Sequence, residues 1–362
     1  MSPRKNKRLA ARLLLAVFLL LAVTATGAAL WLKDDWATPY GQFERGGVFV
    51  NVPHGSSTRG VARLLAANGV VRSAASFELM ARRASPAKLQ AGEYLFDRER
   101  TPREVLRMIA EGRIFLQSVT VPEGYTLLDI ADLLARNGMA SRDAFLDAAR
   151  DPALVRDLAP QAPSLEGFLF PATYQFPRHT PPQRIAEAMV RRFREAWAAL
   201  PPAAASAAKF SPREIVTMAS LVERETPRAA ERAEIAGVFY NRLKGKIALD
   251  CDPTVIYALR LAGRYDGTLR HADLRFDSPY NTYQRRGLPP GPIANPGEDS
   301  LRAALSPGES KYLYFVADAE GGHVFSRTLA EHNRNVARYR RRLAQQARSG
   351  GAAGQAQKKQ SP

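Results

Sequence analysis

Apolar positions are concentrated first in one uninterrupted segment, residues 13–32, which contains no charged side chain. A helix over this segment spans about 30 Å, the thickness of a bilayer core. Five basic residues and no acidic ones precede it, so the tail 1–12 is expected to stay cytoplasmic while the rest crosses. A cleaved signal peptide is the alternative, but its apolar region would be shorter, about 7–15 residues. The pattern therefore predicts an uncleaved membrane helix at 13–32 and a linker at 33–47.

An internal repeat follows, because residues 50–69 and 119–138 are identical at ten of 20 positions. Each copy begins with Val-x-Val, which is a short strand pattern, and continues through Pro-x-Gly, which is a turn pattern. Apolar residues at helical spacing then predict an amphipathic helix that ends at Asn-Gly, and a second helix follows. The unit resembles the LysM carbohydrate-binding module, although a packing module without a ligand remains the alternative. We assign LysM-like regions to 48–116 and 117–205, the second including connecting helices.

The last part of the body mixes helical and strand patterns. A capping box at Ser211–Glu214 opens an apolar helix, and a proline- and alanine-rich stretch at 201–209 precedes it as a linker. Strand patterns at 312–317 and 323–326 flank two glycines and predict a β-hairpin in which His323 is a strand residue. We therefore expect an α+β fold with a catalytic domain at 206–346 and a disordered tail at 347–362.

The net charge of +17 does not indicate nucleic-acid binding, because +5 lies in residues 1–12 and +7 in residues 338–362. The single cysteine, Cys251, excludes an intramolecular disulfide framework. The sequence has no HExxH, GxxxxGK[ST], GxGxxG or GxSxG motif. No metal or cofactor is therefore expected.

The candidate chemistry lies at the end of the helix that Ser211 opens, where Glu223 and Glu225 follow an apolar face. A helix C-terminus and apolar neighbours both raise a carboxyl pKa, as a general acid that cleaves a glycosidic bond requires. The two glutamates lie about 200° apart on a regular helix, so we expect one to be catalytic and the other structural. A solvated surface turn is the alternative. Asp252 is expected to cap the next helix first and to act as an acid second.

Several long blocks, in this order along roughly residues 45–340, resemble the MltG/YceG family of endolytic murein transglycosylases. They are LEGFLFPATY (165–174), MASLVERET (218–226), DPTVIYAL (252–259), YNTY…GLPPGPIANPG (280–297) and YLYFVAD…GGHVFS (312–326). The chain departs from the family pattern at Asp250-Cys251, where Gln followed by Ser or Thr is usual, and at Ala172, where Asp is frequent. Because a thiol can replace a hydroxyl, activity is expected to survive the first change.

The resemblance implies a lytic transglycosylase that cleaves bonds between N-acetylmuramic acid and N-acetylglucosamine within nascent strands and leaves 1,6-anhydro ends. It places the catalytic glutamate at Glu223, as general acid and then base, with no metal. Glu225 would then hold the site together, and the lower-ranked supporting candidates are Asp252, Tyr280, Asn281, Thr282 and Asn295.

The resemblance also implies a single-pass inner-membrane protein with a periplasmic catalytic domain. Its partners would be peptidoglycan strands and peptidoglycan synthases, including penicillin-binding proteins, and not nucleic acid. Two alternatives stay open: a muramidase that uses water, with Asp252 as its second acid, and a non-catalytic peptidoglycan-binding scaffold.

Overall fold

The computed structural model describes residues 3–84, 89–205 and 207–358. Within them, tertiary contacts define two compact units, which are described separately. The first contains residues up to Gln117 together with Gln175–Arg178, and the second contains Ser118–Tyr174 and the chain from His179 onward. The predicted boundary at 205/206 therefore lies inside the second unit.

The first unit contains four helices and a two-stranded sheet within its described residues. They are α1 (Pro3–Ala37), β1 (Val48–Val52), α2 (Thr58–Ala67), α3 (Ala74–Arg83), β2 (Gly92–Phe96) and α4 (Pro102–Ala110). β1 and β2 pair antiparallel, with Val50 opposite Tyr94. These two residues are fully buried, because the period-2 alternation turns one face of the sheet onto α2 and α3.

The apolar N-terminal helix is present, and it is longer than the predicted span. Residues 11–37 of α1 are apolar enough to cross a membrane by length and composition. The helix also continues through residues 33–37, which the sequence pattern assigned to a linker.

The second unit carries most of the remaining elements. They are α5 (Leu127–Arg136), α6 (Arg142–Arg150), α7 (Pro182–Ala198), α8 (Pro212–Glu225), α9 (Ala229–Lys244), α10 (Asp252–Leu261), α11 (Glu298–Leu305), β5 (Tyr314–Ala317), β6 (His323–Ser326) and α12 (Leu329–Lys358). β3 (Gln117–Thr120) and β4 (Thr173–Phe176) pair in a further two-stranded sheet, and β5 pairs antiparallel with β6. The α+β class and the hairpin are confirmed.

The two repeats have the same β-α-α-β order of strands and α-helices, β1-α2-α3-β2 and β3-α5-α6-β4, and the second has an additional 3-10 helix at Pro152–Val155. The predicted Asn-Gly helix ends are confirmed, since Asn68 and Asn137 are the C-caps and the glycine after each has a left-handed φ. The sequence pattern did not show that a returning strand completes each unit.

α8 is the central helix of the second unit, because all eight residues 215–222 are buried. The sequence predicted a single apolar face, but α9, α10 and α11 all pack against it. Its two polar residues in this stretch bond internally: Thr217 donates to the Arg213 carbonyl, and Ser220 accepts from the Ile293 N–H. The predicted capping box at Ser211 is confirmed.

The end of the chain is helical further than expected. α12 continues to Lys358, so it enters the stretch 347–362 that the sequence predicts as disordered. Residues 359–362 of that stretch lie outside the described residues.

Candidate active site

The C-terminal turn of α8 places Glu223 and Glu225 in different surroundings, as their angular separation on the helix predicts. Glu223 faces α9 and the loop that precedes α11. Its Oε1 accepts a hydrogen bond from Arg232 Nη2 at 3.1 Å, and its Oε2 accepts one from the Gly297 backbone N–H at 3.0 Å. The Glu223 and Arg232 side chains are only 5% and 6% exposed. Glu223 is therefore a buried, paired carboxylate.

Opposing effects act on the Glu223 carboxyl. Burial raises its pKa, while the Gly297 N–H and the positive charge of Arg232 lower it. The net pKa is raised, as the sequence predicts. The cause is burial and not the end of α8, because the carboxylate meets the N-terminal end of α11, which favours an anion.

Glu225 lines a cavity of about 450 Å³ in the second unit. Its Oε1 accepts a hydrogen bond from the Cys251 thiol at 3.0 Å, and Oε2 has no hydrogen-bond partner among the described residues. Burial raises the pKa of Glu225 to about 6, and the charge of Asp252 adds to the rise, while the Cys251 contact opposes it. Glu225 thus presents a protonatable carboxyl to a cavity large enough for part of a sugar chain.

Asp252 lines the same cavity as Glu225. Its Oδ1 accepts a hydrogen bond of 2.6 Å from the Tyr283 hydroxyl, and burial raises the pKa of that phenol. The prediction that Asp252 caps α10 is wrong, since Cys251 is the N-cap residue and no side chain caps the helix. The carboxylate of Asp252 is directed to Tyr283 instead.

The wall of this cavity also carries Asp250 and His323. Asp250 has a left-handed φ of 49°, a strained conformation for a residue with a Cβ, and its carboxylate pairs with Arg242 Nη1 at 3.1 Å. His323 is a strand residue, as predicted, but it also has an acidic partner, because its Nδ1 lies 2.7 Å from Glu231 Oε2. The sequence gave no indication of this partner.

Three of the predicted supporting residues are fully buried and use their polar atoms within the protein. Asn281 donates to the Leu274 and Phe276 carbonyls. Asn295 accepts from the Leu169 N–H and donates to the Tyr125 carbonyl and to Glu166. Thr282 accepts from the Cys251 N–H at 3.0 Å, and Cys251 lies between the lining residues Asp250 and Asp252.

Tyr280 is the fourth, and it packs edge-on against Tyr257 at 5.0 Å between ring centroids. The structure thus brings Glu225 and Asp252 together at the cavity. Thr282 and Asn281 hold the backbone next to it, through the N–H groups of Cys251 and Tyr283. Tyr280 and Asn295 instead contact Tyr257 and Glu166, and Glu223 lies in its own buried pair.

A further buried carboxyl, Glu166, was not singled out from the sequence. It is 4% exposed and accepts hydrogen bonds from the Leu127 N–H, the Tyr257 hydroxyl and Asn295. Burial raises its pKa to about 7. Its position in the block LEGFLFPATY was a signal of importance, but nothing in the sequence joined it to Tyr257 or Asn295.

Arg232 and Tyr283 were also missed. Tyr283 ends the block YNTY and could have been found there, whereas Arg232 lies in an ordinary amphipathic helix pattern nine residues after Glu223. Only the turn between α8 and α9 brings Arg232 back to Glu223.

Comparisons with known proteins identify the family to which the chain is similar. The YceG-like family model matches residues 50–338. The endolytic murein transglycosylase of Bacillus subtilis (strain 168) is 36% identical over 308 residues, which are 81% of this chain and 84% of the relative. That of Streptococcus pneumoniae (strain ATCC BAA-255 / R6) is 29% identical over 321 residues, which are 81% of this chain and 58% of the relative.

A solved structure is similar as well. The crystal structure of a YceG-like protein from Listeria monocytogenes aligns with a TM-score of 0.52 at 32% sequence identity, over 80% of this chain and 99% of that one. The family model and the Bacillus relative each cover most of the chain. The resemblance found in the sequence is therefore confirmed, and this chain belongs to the YceG-like family.

Proposed function

We propose that this protein is an endolytic murein transglycosylase that cleaves bonds between N-acetylmuramic acid and N-acetylglucosamine within peptidoglycan strands. Two relatives with that name support the activity. The cavity that Glu225 lines supports it chemically, because it offers a partly buried carboxyl with a pKa raised to about 6 in a space of about 450 Å³. This cavity is the observation that carries the proposal.

Glu225, and not Glu223, is the general acid and base in this proposal. The two glutamates exchange their expected roles because only Glu225 is accessible from the cavity. Both oxygens of Glu223 are engaged by Arg232 and the Gly297 N–H, whereas Glu225 keeps one oxygen without a partner among the described residues and lines the cavity. A proton donor must reach the leaving oxygen, so the accessible carboxyl is favoured.

The reaction uses one carboxyl in two steps. Protonated Glu225 donates its proton to the glycosidic oxygen as the bond to the anomeric carbon breaks. The resulting carboxylate accepts the proton of the C6 hydroxyl of the muramoyl sugar as that oxygen closes on the anomeric carbon. The products are a 1,6-anhydro end and a free 4-hydroxyl, and the glutamate is protonated again.

The supporting residues act as positioning groups in this proposal. Thr282 holds the Cys251 backbone, and the Cys251 thiol contacts Glu225, so the pair fixes the carboxyl. Cys251 thus occupies the place of a hydroxyl donor. Glu223 joins α8 to α9, Asn281 holds the loop that leads to Tyr283, and Asn295 joins the loops that carry Tyr125 and Glu166.

α1 anchors the protein in the inner membrane with its N-terminus cytoplasmic and the catalytic part periplasmic. The β-α-α-β units are LysM-like modules that bind glycan strands. Peptidoglycan synthases, including penicillin-binding proteins, are the proposed protein partners.

Hydrolysis is a second candidate, because Asp252 lines the same cavity as Glu225. A second carboxylate is what a water-using glycosidase requires. The negative charge of Asp252 raises the pKa of Glu225, so the two acids interact electrostatically. Asp252 itself accepts a hydrogen bond from Tyr283. The products separate the two reactions.

Products of the full chain acting on uncross-linked glycan strands are expected to carry 1,6-anhydro-muramoyl ends, read by mass spectrometry. Reducing ends would replace transglycosylation by hydrolysis with Asp252 as second acid. Intact strands that nevertheless bind to the folded protein would favour the non-catalytic scaffold.

The pH dependence should report Glu225. Because the acid must be protonated and its pKa is about 6, kcat/KM is expected to fall about tenfold per pH unit well above pH 6. Asp252→Asn removes a negative charge that raises this pKa, so it should move the alkaline limb to lower pH. Asp277→Asn, at an exposed residue paired with Arg285, is the matched control and should leave the limb in place. An unchanged limb in Asp252→Asn would contradict the assignment of that limb to Glu225.

A further inference from the structure

The first unit contains a second cavity, of about 460 Å³, that the proposed chemistry does not use. Its apolar lining comes from three helices: Trp36 of α1, Met80 and Ala81 of α3, and Leu106 of α4. Such a surface fits hydrocarbon better than a sugar.

The cavity lies at the end of the proposed membrane helix. The uncharged run ends at Leu32, so Trp36 is about 6 Å further along the helix axis. Its indole Nε1 donates to Ser76 Oγ at 3.0 Å, and Ser76 donates to Asp35 at 2.6 Å. Asp35 is 4% exposed. These bonds fix the end of α1 to α3, so a membrane that holds α1 would place the cavity at the depth of the lipid headgroups, where tryptophan side chains concentrate.

The same cavity is lined by three arginines, Arg83, Arg103 and Arg107. All three are exposed, and none has an ion-pair partner among the described residues. Arg59 and Arg82 of this unit pair with Glu78, and Arg100 pairs with Asp97, so those three guanidinium groups are already engaged. Guanidinium groups bind phosphate oxygens in pairs of parallel hydrogen bonds.

We propose that this cavity binds an anionic phospholipid of the membrane leaflet that faces the body of the protein. The arginines contact the phosphate headgroup, and the first part of an acyl chain lies against Trp36, Met80 and Leu106. The occupant is a lipid and not a soluble phosphate for two reasons. The apolar lining of the cavity lies next to the three arginines, and the cavity is at the end of α1 that would meet the membrane surface. The inference rests on the proposed anchoring by α1.

Lipid binding to the full chain in neutral detergent micelles tests this, with native mass spectrometry as readout. Phosphatidylglycerol is expected to bind with a Kd on the order of tenfold lower than phosphatidylcholine. The triple variant Arg83→Gln/Arg103→Gln/Arg107→Gln is expected to remove that preference. Arg45→Gln/Arg63→Gln/Arg98→Gln removes the same charge from exposed arginines of this unit and should keep it. Ala110→Trp fills the cavity without changing charge and should weaken phosphatidylglycerol binding as well.

Equal binding of the two lipids, or an equal loss in both triple variants, would overturn the proposal, as would full competition by glycerol 3-phosphate. Flotation of the full chain with liposomes separates this inference from the anchor on which it rests. A protein that floats without lipid preference refutes the cavity alone, and one that does not float refutes the anchor.

Discussion

Glu225→Gln is expected to lower the rate of anhydro-end formation by roughly 10³-fold or more, whereas Glu223→Gln should keep the rate within about tenfold of the parent chain. The glutamine at 225 cannot donate a proton to the leaving oxygen. The glutamine at 223 retains an amide oxygen that accepts from Arg232 or from the Gly297 N–H, so the local structure is largely preserved. The rate is measured from muropeptide mass spectra on glycan strands, per mole of folded protein.

The comparison is informative because the two variants lie on the same turn of α8 and replace the same carboxyl group by the same amide. Circular dichroism and strand binding confirm that each variant is folded and still engages substrate. Cys251→Ser provides a further control, because the hydroxyl keeps a donor for Glu225 and activity should remain. A large loss in Glu223→Gln with retained activity in Glu225→Gln would restore the assignment that the family resemblance implied.

The sequence predicted most of the residues of the site but not which glutamate faces the cavity. Helical geometry alone separated the two glutamates by about 200° and predicted that they would differ in role. It did not predict which one faces a cavity, because that depends on segments far along the chain. Arg232 and Gly297 enclose Glu223, while Asp252, Tyr283 and the β5–β6 hairpin line the space in front of Glu225.

In the fold, too, features set by nearby residues could be predicted, and features set by residues far along the chain could not. Local patterns located the strand, helix and Asn-Gly end of each repeat, and the capping box at Ser211. They did not show that α8 is buried on all sides, because the polar side chains of Thr217 and Ser220 are typical of a helix face exposed to solvent. In the structure these hydroxyls bond to backbone groups nearby, and that satisfies them without water.

Arg232→Met is the second change with a large expected effect, a loss of about 3–5 kcal/mol in the free energy of unfolding. Arg232 is 5% exposed and is the ion-pair partner of Glu223, so its removal leaves a carboxylate uncompensated inside the protein. Urea denaturation with an unchanged slope measures the loss. Arg302→Met is the matched control, because Arg302 pairs with Glu298 on the surface, and it should cost less than about 1 kcal/mol.

The double variant Glu223→Gln/Arg232→Met identifies the cause. If the loss comes from the unpaired charge of Glu223, removing that charge should recover most of it, with a coupling of at least about 2 kcal/mol in the double-mutant cycle. Glu123, the other partner of Arg232, is 50% exposed and can be solvated when the guanidinium is gone. A double variant as unstable as Arg232→Met would instead assign the loss to packing around the arginine. Strong coupling in stability together with retained catalysis in Glu223→Gln would establish Glu223 as the structural member of the pair, which leaves Glu225 as the carboxyl available to the substrate.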